Sequence, residues 1–177
     1  MNERPVAELS SDARLVASAR EGNRNAFGQL YDRYAPMVHG ILLARVPPAE
    51  VGDLVQDVFL LALRRLHTLR DDSAFGGWLA VITRNRANDY HRRTPAVMEL
   101  PEDLMAPSGP SAEALVALAA IRSLPEAYRE TLILRLVEGM TGPEIAARTG
   151  LTPASVRVNL HRGMKQLREK LGKEERP

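Results

Sequence analysis

The sequence predicts an all-helical protein built as two small bundles joined by a flexible linker, and three observations carry that expectation. Apolar residues recur at i, i+3, i+4 spacing almost throughout, while strand-type alternation is scarce. The pattern fails once, over residues 94–111, where four prolines, a glycine and the acids Glu99, Glu102 and Asp103 replace it. Apolar stretches such as 58–63 are far too short to span a bilayer, which points to a soluble intracellular chain with no membrane insertion. Residues 1–93, 94–111 and 112–177 are therefore read as first domain, linker and second domain.

Taken in order, a first short helix is expected after Ser11, ending near Gly22. A second covers about 25–46, with Phe27, Leu30, Tyr31, Tyr34, Val38, Ile41 and Leu42 on one broad stripe; Pro36 is a point where it can kink. Pro47 and Pro48 stop that helix and open the next, about 48–66, which buries Val51, Leu54, Val55, Val58, Leu61, Ala62 and Leu66. A polar turn at 70–73 leads to a fourth helix, about 74–93, with Phe75, Leu79 and Ile82 inward. Beyond the linker come residues 112–123, then a helix opened by Leu124-Pro125-Glu126, with Pro125 at its first position, running to Glu138 before Gly139.

The last two helices carry the clearest local chemistry. Thr141-Gly142-Pro143-Glu144 has the spacing of a capping box, in which the Thr hydroxyl and the Glu carboxylate satisfy orphan donors at a helix start. Gly150 suits the left-handed turn that ends so short a helix, and Thr152-Pro153 opens its successor. Helices joined so tightly cross steeply, so small or compact residues are expected at the crossing, and Ala146, Gly150 and Val156 stand there. Projection at about 100° per residue puts Val156, Leu160, Met164, Leu167 and Leu171 on the packing side. Ser155, Val158, His161, Arg162 and Lys165 then face outward, as a major-groove reader requires; a merely solvated basic face is the plain alternative.

Charge agrees with a polyanionic partner. The net charge is only +2, but Lys and Arg gather at 84–93 and 157–176. In the third helix, Asp53, Gln56, Asp57, Leu60 and Arg64 face solvent, and the two acids one turn apart gain nothing from each other. That face is either a partner surface or a solubilising face with one exposed Leu. The fourth helix sets Phe75 and Trp78 beside Arg84, Asn85, Asn88, Asp89, Arg92 and Arg93, a combination that suits unpaired bases; Trp78 stands equally as a core residue.

In order, Ala26-Phe27-Gly28-Gln29-Leu30-Tyr31, the run from Asp53 to Phe59, Phe75 with Trp78-Leu79, Arg84-Asn85 through Asp89, Leu124-Pro125-Glu126 and the helix-turn-helix resemble the extracytoplasmic-function sigma factors of the sigma-70 family, over nearly the whole chain. The resemblance implies that the first domain is sigma region 2 and the second sigma region 4. It further implies that Asp53, Gln56, Asp57 and Leu60 grip the β′ clamp helices of core RNA polymerase. Asp71, Asp72, Phe75, Trp78, Arg84, Asn85, Asn88, Asp89 and Arg92 would open and read the minus-ten element of promoter DNA, the 70–75 turn capturing flipped bases.

By the same resemblance, Thr152, Ser155, Arg157, Val158, Asn159, His161, Arg162 and Lys165 would read the minus-thirty-five element as duplex, and the second domain would touch the β flap. The acidic linker would pass near the RNA exit path. An anti-sigma factor is implied as a further partner, able to hold an otherwise cytoplasmic chain at the inner membrane. Val158 and Asn159 depart from the Ser and Arg often found in the family, so the usual minus-thirty-five preference does not transfer. Gly163 replaces the usual Ala at a helix cost of about 1 kcal/mol. The chain ends soon after the recognition helix, which leaves no room for the extra C-terminal domain of some relatives.

Other functions fit less well. A two-domain regulator binding an operator alone would share the helix-turn-helix but would not need the third- and fourth-helix faces. Enzymatic chemistry has little to stand on. Cysteine is absent from the sequence, and His39, His67, His91 and His161 show no metal-ligand spacing; no phosphate loop or nucleophile motif occurs. No cofactor or metal is expected.

Overall fold

The structure is a computed structural model that describes residues 4–94 and 111–174; the expected linker lies, but for its two end residues, outside them. All regular structure among the described residues is helical. The first bundle comprises α1 (Arg4–Arg20), α2 (Arg24–Leu43), α3 (Pro48–Arg65) and α4 (Phe75–Arg93), with 3-10 turns at Leu66–Thr68 and Asp72–Ala74 between the last two. The second comprises α5 (Ala112–Arg122), α6 (Glu126–Leu136), α7 (Gly142–Thr149) and α8 (Pro153–Glu174).

Local chemistry accounts for most boundaries. Gly22, at φ 95°, turns the chain out of α1, and the Asn23 side chain accepts from the backbone of Asn25 and Ala26 to cap α2. Pro36 lies inside α2 without ending it, because Met37, Val38, Ile41 and Leu42 beyond it are fully enclosed and hold the second half in place. Each such side chain contributes about 1.5–3 kcal/mol on burial. Tyr34 and Phe75 meet edge to face at 5.1 Å between ring centroids, joining α2 to α4. Asp12 ties α1 to α2 by accepting from Arg33 and, at 2.7 Å, from the Tyr34 hydroxyl.

Four boundaries differ from those expected. The first helix begins at Arg4 rather than after Ser11. Serine is only mildly unfavourable inside a helix, and Pro5 falls in the first turn, where proline is tolerated. α2 ends at Leu43, short of Val46. Pro125 is the cap preceding α6 rather than its first residue, and α6 stops at Leu136 with Val137 as its C-cap.

In the second bundle the capping box forms in full, with the Thr141 backbone N–H donating to Glu144 at 2.8 Å. Gly150 takes φ 75°, the left-handed turn between α7 and α8. Gly163 has a packing reason that its helix cost obscures. A Cβ there would lie 3.0 Å from a Leu132 methyl and 3.1 Å from the Tyr128 Cβ, so its absence sets how closely α8 approaches α6. The buried apolar residues of the two bundles form one contiguous cluster, with α2 against α6 and α4 against α7.

Candidate functional site

Asp53, Gln56, Asp57 and Leu60 all face solvent on α3. Leu60 is not an isolated apolar exposure. It is 53% exposed beside Leu63 at 48%, and both line a shallow groove with Phe27, Tyr31, Gln56 and Phe59. Tyr31 and Phe59 pack ring against ring at a tilt of 50° with centroids 4.5 Å apart, which fixes the groove wall. Apolar strips of this kind, rimmed by acids, suit an amphipathic partner. Tyr31 was expected only as part of the inward stripe of α2, and Leu63 was not singled out from sequence; the i, i+3 spacing of Leu60 and Leu63 was the available signal. Asp57 is not idle, because it accepts a charge-assisted hydrogen bond from Arg86 of α4.

On α4, an exposed line runs through Val81, Asn85, Asn88 and Arg92, spaced four, three and four residues apart, so that they share one helix face. Val81, 52% exposed, was also missed. Trp78 continues this line at the helix start, half-buried, its ring 5.8 Å from that of Phe75. Phe75 itself is fully enclosed, so no base can reach its ring in this conformation, in contrast to its place among the expected DNA contacts. The first turn of α4 faces the core and the aromatic pair interlocks, which is why a ring read as a stacking platform serves as packing.

The acids before α4 shape the turn. Asp71 accepts from the Ser73 backbone at 2.9 Å and from its hydroxyl at 2.6 Å, bonds that hold its carboxyl below the usual carboxylate range. Asp72 pairs with Arg20 of α1, which also donates to the Leu69 carbonyl at 2.8 Å. Asp89 is engaged by Arg92 one turn on.

Arg84 is turned away from that exposed line. Its Nη2 donates to Glu130 of α6 at 2.6 Å, and Arg45 at the end of α2 donates to the other oxygen of the same carboxylate at 2.8 Å. Glu130 is only 4% exposed. Burial pushes its carboxyl up, but Arg84 and Arg45 outweigh burial and hold it below the usual range. Further ties cross between the bundles. Arg122 donates to the carbonyls of Leu43 and Val46, and Arg148 donates to the Arg33 carbonyl at 2.9 Å while its guanidinium lies over the Tyr34 ring. His39 and Glu138 are bonded at 2.5 Å.

On α8, Val156 and Leu167 are buried, Leu160, Met164 and Leu171 are half-buried, and Ser155, Arg157, Val158, His161, Arg162 and Lys165 are exposed. Asn159 lies half-buried on the flank. Thr152 is committed to capping, its hydroxyl accepting from the Ser155 backbone at 3.1 Å. The outward face is thus a short basic strip with one valine, held at a fixed angle by the α7–α8 crossing, where Ala146 and Val156 are buried. Among the described residues, no cluster of potential metal ligands occurs and no helix is long and apolar enough to cross a membrane.

Two family models match the chain: Sigma-70 region 2 over residues 30–95 and Sigma-70, region 4 over residues 115–167. The chain is 34% identical over 163 residues to RNA polymerase sigma factor CarQ of Myxococcus xanthus, covering 86% of this chain and 93% of that one. It is 32% identical over 190 residues to the ECF RNA polymerase sigma-E factor of Escherichia coli K12, covering 94% and 97%. Among solved structures, CnrH in complex with the cytosolic domain of CnrY superposes with a TM-score of 0.65 at 28% identity, over 93% of this chain and 99% of that one. The sigma factor RpoE of Bartonella quintana, solved in complex with the anti-sigma factor NepR, shares the fold with a TM-score of 0.58 at 23% identity, over 85% and 98%.

Proposed function

The chain belongs to the extracytoplasmic-function sigma factors of the sigma-70 family, an alternative sigma factor that directs transcription, and from that premise we propose how its faces divide the work. Residues 1–93 act as sigma region 2 and residues 112–177 as region 4, with 94–111 linking them. Asp53, Gln56, Asp57 and Leu60, with the apolar groove behind them, hold core RNA polymerase through the β′ clamp helices. The groove takes the apolar side of the partner helices and the acids meet their basic rim.

The line from Trp78 through Asn85, Asn88 and Arg92, flanked by Arg84 and Asp89 and preceded by the Asp71–Asp72 turn, reads the minus-ten element as an opened strand. Ser155, Arg157, Val158, His161, Arg162 and Lys165 read the minus-thirty-five element in the major groove, with Thr152 fixing the helix start and Asn159 at the edge of the face. The second bundle also touches the β flap. An anti-sigma factor is a further partner: RpoE of Bartonella quintana, which shares the fold, was solved with the anti-sigma factor NepR, and the related CnrH was solved with the cytosolic domain of CnrY. On this reading the chain works in the cytoplasm and catalyses nothing itself, because the polymerase holds the chemistry.

The observation that carries the proposal is the outward face of α8, where Val158 and the cations stand exposed on the side opposite buried Val156 and Leu167. Transcription from a randomised promoter library with reconstituted polymerase tests it. Enrichment of templates with two conserved blocks roughly 25 base pairs apart is expected. Templates enriched in one duplex block only, bound equally well without polymerase, would instead identify an operator-binding regulator.

A further inference from the structure

Between α3 and α4 the chain makes two 3-10 turns, Leu66–Thr68 and Asp72–Ala74, with Arg70 and Asp71 at the bend that joins them. So short a run has little core of its own: of residues 67–74, Leu69 alone is buried, and Arg70, Asp71 and Ser73 are exposed. A base captured there needs its partners already in place, because every group ordered at the moment of capture weakens binding. The bend must therefore be held from outside itself.

Arg20, in the last turn of α1, reaches it. Its Nη2 donates to the Leu69 carbonyl at 2.8 Å and to Asp72 Oδ1 at 2.5 Å, acceptors 49 and 52 residues away that stand on either side of Arg70 and Asp71. One guanidinium thus closes the bend across its mouth, and α1 packs along both 3-10 turns. Inside the bend, Asp71 Oδ1 accepts from the Ser73 backbone and hydroxyl, and the Asp71 carbonyl accepts from the Ala74 N–H at 3.0 Å. The Arg70 guanidinium and the second oxygen of Asp71 take no part in these bonds, which leaves a donor fork and an anionic acceptor facing outward. Fold stability is a weak reason for the arrangement. The Arg20 and Asp72 side chains are 35% and 26% exposed, and ion pairs this open contribute little.

We propose that Arg20 is a positioning residue for promoter recognition: by tying Leu69 to Asp72 it holds Arg70 and Asp71 in the one arrangement that reads a flipped base of the minus-ten element, while itself touching no DNA. Asp72 is then its anchor and not a base contact. This inference rests on the proposed capture of an unpaired base by the 70–75 turn. A donor fork fixed beside a fixed acceptor discriminates among bases, because each base edge carries its donors and acceptors in a different order. A slack turn accepts several orders.

Base preference is measured with the full-length chain and reconstituted polymerase, on a pool of promoters varied at each minus-ten and minus-thirty-five base and transcribed in one tube. The unaltered chain should favour one base at one or two minus-ten positions. Arg20→Ala should reduce that preference about fivefold or more and leave every minus-thirty-five preference as it was. Because the templates compete for the same molecules, a variant that is merely less stable loses product from all of them alike, and the ratios do not move. Minus-ten preferences equal to those of the unaltered chain would overturn the proposal, as would an equal flattening of both elements.

Asp72→Ala separates anchor from reader. As an anchor it should flatten the same positions as Arg20→Ala, with the double variant no worse than either single one. Additive losses, or flattening by Asp72→Ala at a base that Arg20→Ala leaves sharply preferred, would make Asp72 a base contact in its own right and refute the assignment. If the unaltered chain prefers no base at any minus-ten position, the functional reading of the turn fails instead, which is a different result from a preference that Arg20→Ala leaves intact.

Discussion

Arg84 of α4 and Glu130 of α6 are joined by a hydrogen bond of 2.6 Å across the seam between the two bundles, 46 residues apart in sequence. A carboxylate so enclosed is tolerable only because two guanidiniums face it, so removing its charge strands both.

Glu130→Gln should therefore lower stability at pH 7 by on the order of 3 kcal/mol in urea unfolding. The folded carboxyl titrates below its ordinary value of 4.5. Its stabilisation is accordingly complete above about that pH and is lost as pH falls through the lower folded value. The variant should show a flatter loss of stability in that acid window. Parallel curves for variant and unaltered chain would contradict the pairing.

Asp53→Lys with Asp57→Lys should abolish binding to core polymerase while the circular dichroism spectrum stays unchanged. Both side chains are exposed, and the Asp57 to Arg86 pair is exposed enough to contribute at most about 1 kcal/mol. Affinity equal to that of the unaltered chain would remove α3 from the docking surface.

Asn85→Ala should leave closed-complex formation intact and impair strand opening, read as weaker permanganate reactivity of the bubble, with no change in melting temperature. Trp78→Ala should add a cost in stability of up to about 3 kcal/mol, because its half-buried ring packs on Phe75. Normal bubble reactivity in both at saturating enzyme would assign this face elsewhere.

Arg162→Ala should weaken duplex binding by roughly 1 to 3 kcal/mol and, if its contact is phosphate, reduce the salt slope by about one ion. Val158→Ser should leave the slope unchanged and relax preference at one minus-thirty-five position, since it removes an apolar contact and no charge. Titrations at three salt concentrations on matched and mismatched duplexes distinguish the two.

Gly163→Ala should destabilise the second bundle, against the helix propensity gain of about 1 kcal/mol. The new Cβ meets the Tyr128 Cβ, which cannot swing aside, and the enclosed Leu132, so overpacking costs about 1–3 kcal/mol. A higher melting temperature would show that α6 and α8 can move apart freely.

What could be read without coordinates was local or periodic. The Thr141–Glu144 cap and the Gly150 turn depend on residues within three positions of each other, and the phase of α8 follows from the helical repeat alone. Gly163 was legible only as a cost, because its reason lies some thirty residues away in α6. Phe75 and Arg84 were read by chemical type as ligands of bases and phosphates; tertiary packing encloses one and pairs the other with Glu130. Leu60 looked like a lone exposure until Tyr31 and Leu63 appeared beside it.

Gly40 is shaped by a neighbour more than ninety positions downstream, since the groups its missing side chain makes way for belong to Leu134 and Glu138. The halves of this chain are therefore not interchangeable modules. Grafting α5–α8 of a relative onto α1–α4 of this one carries over a surface whose bumps were matched to different hollows. Such chimeras need their residues opposite position 40 re-matched before either half behaves as it does at home.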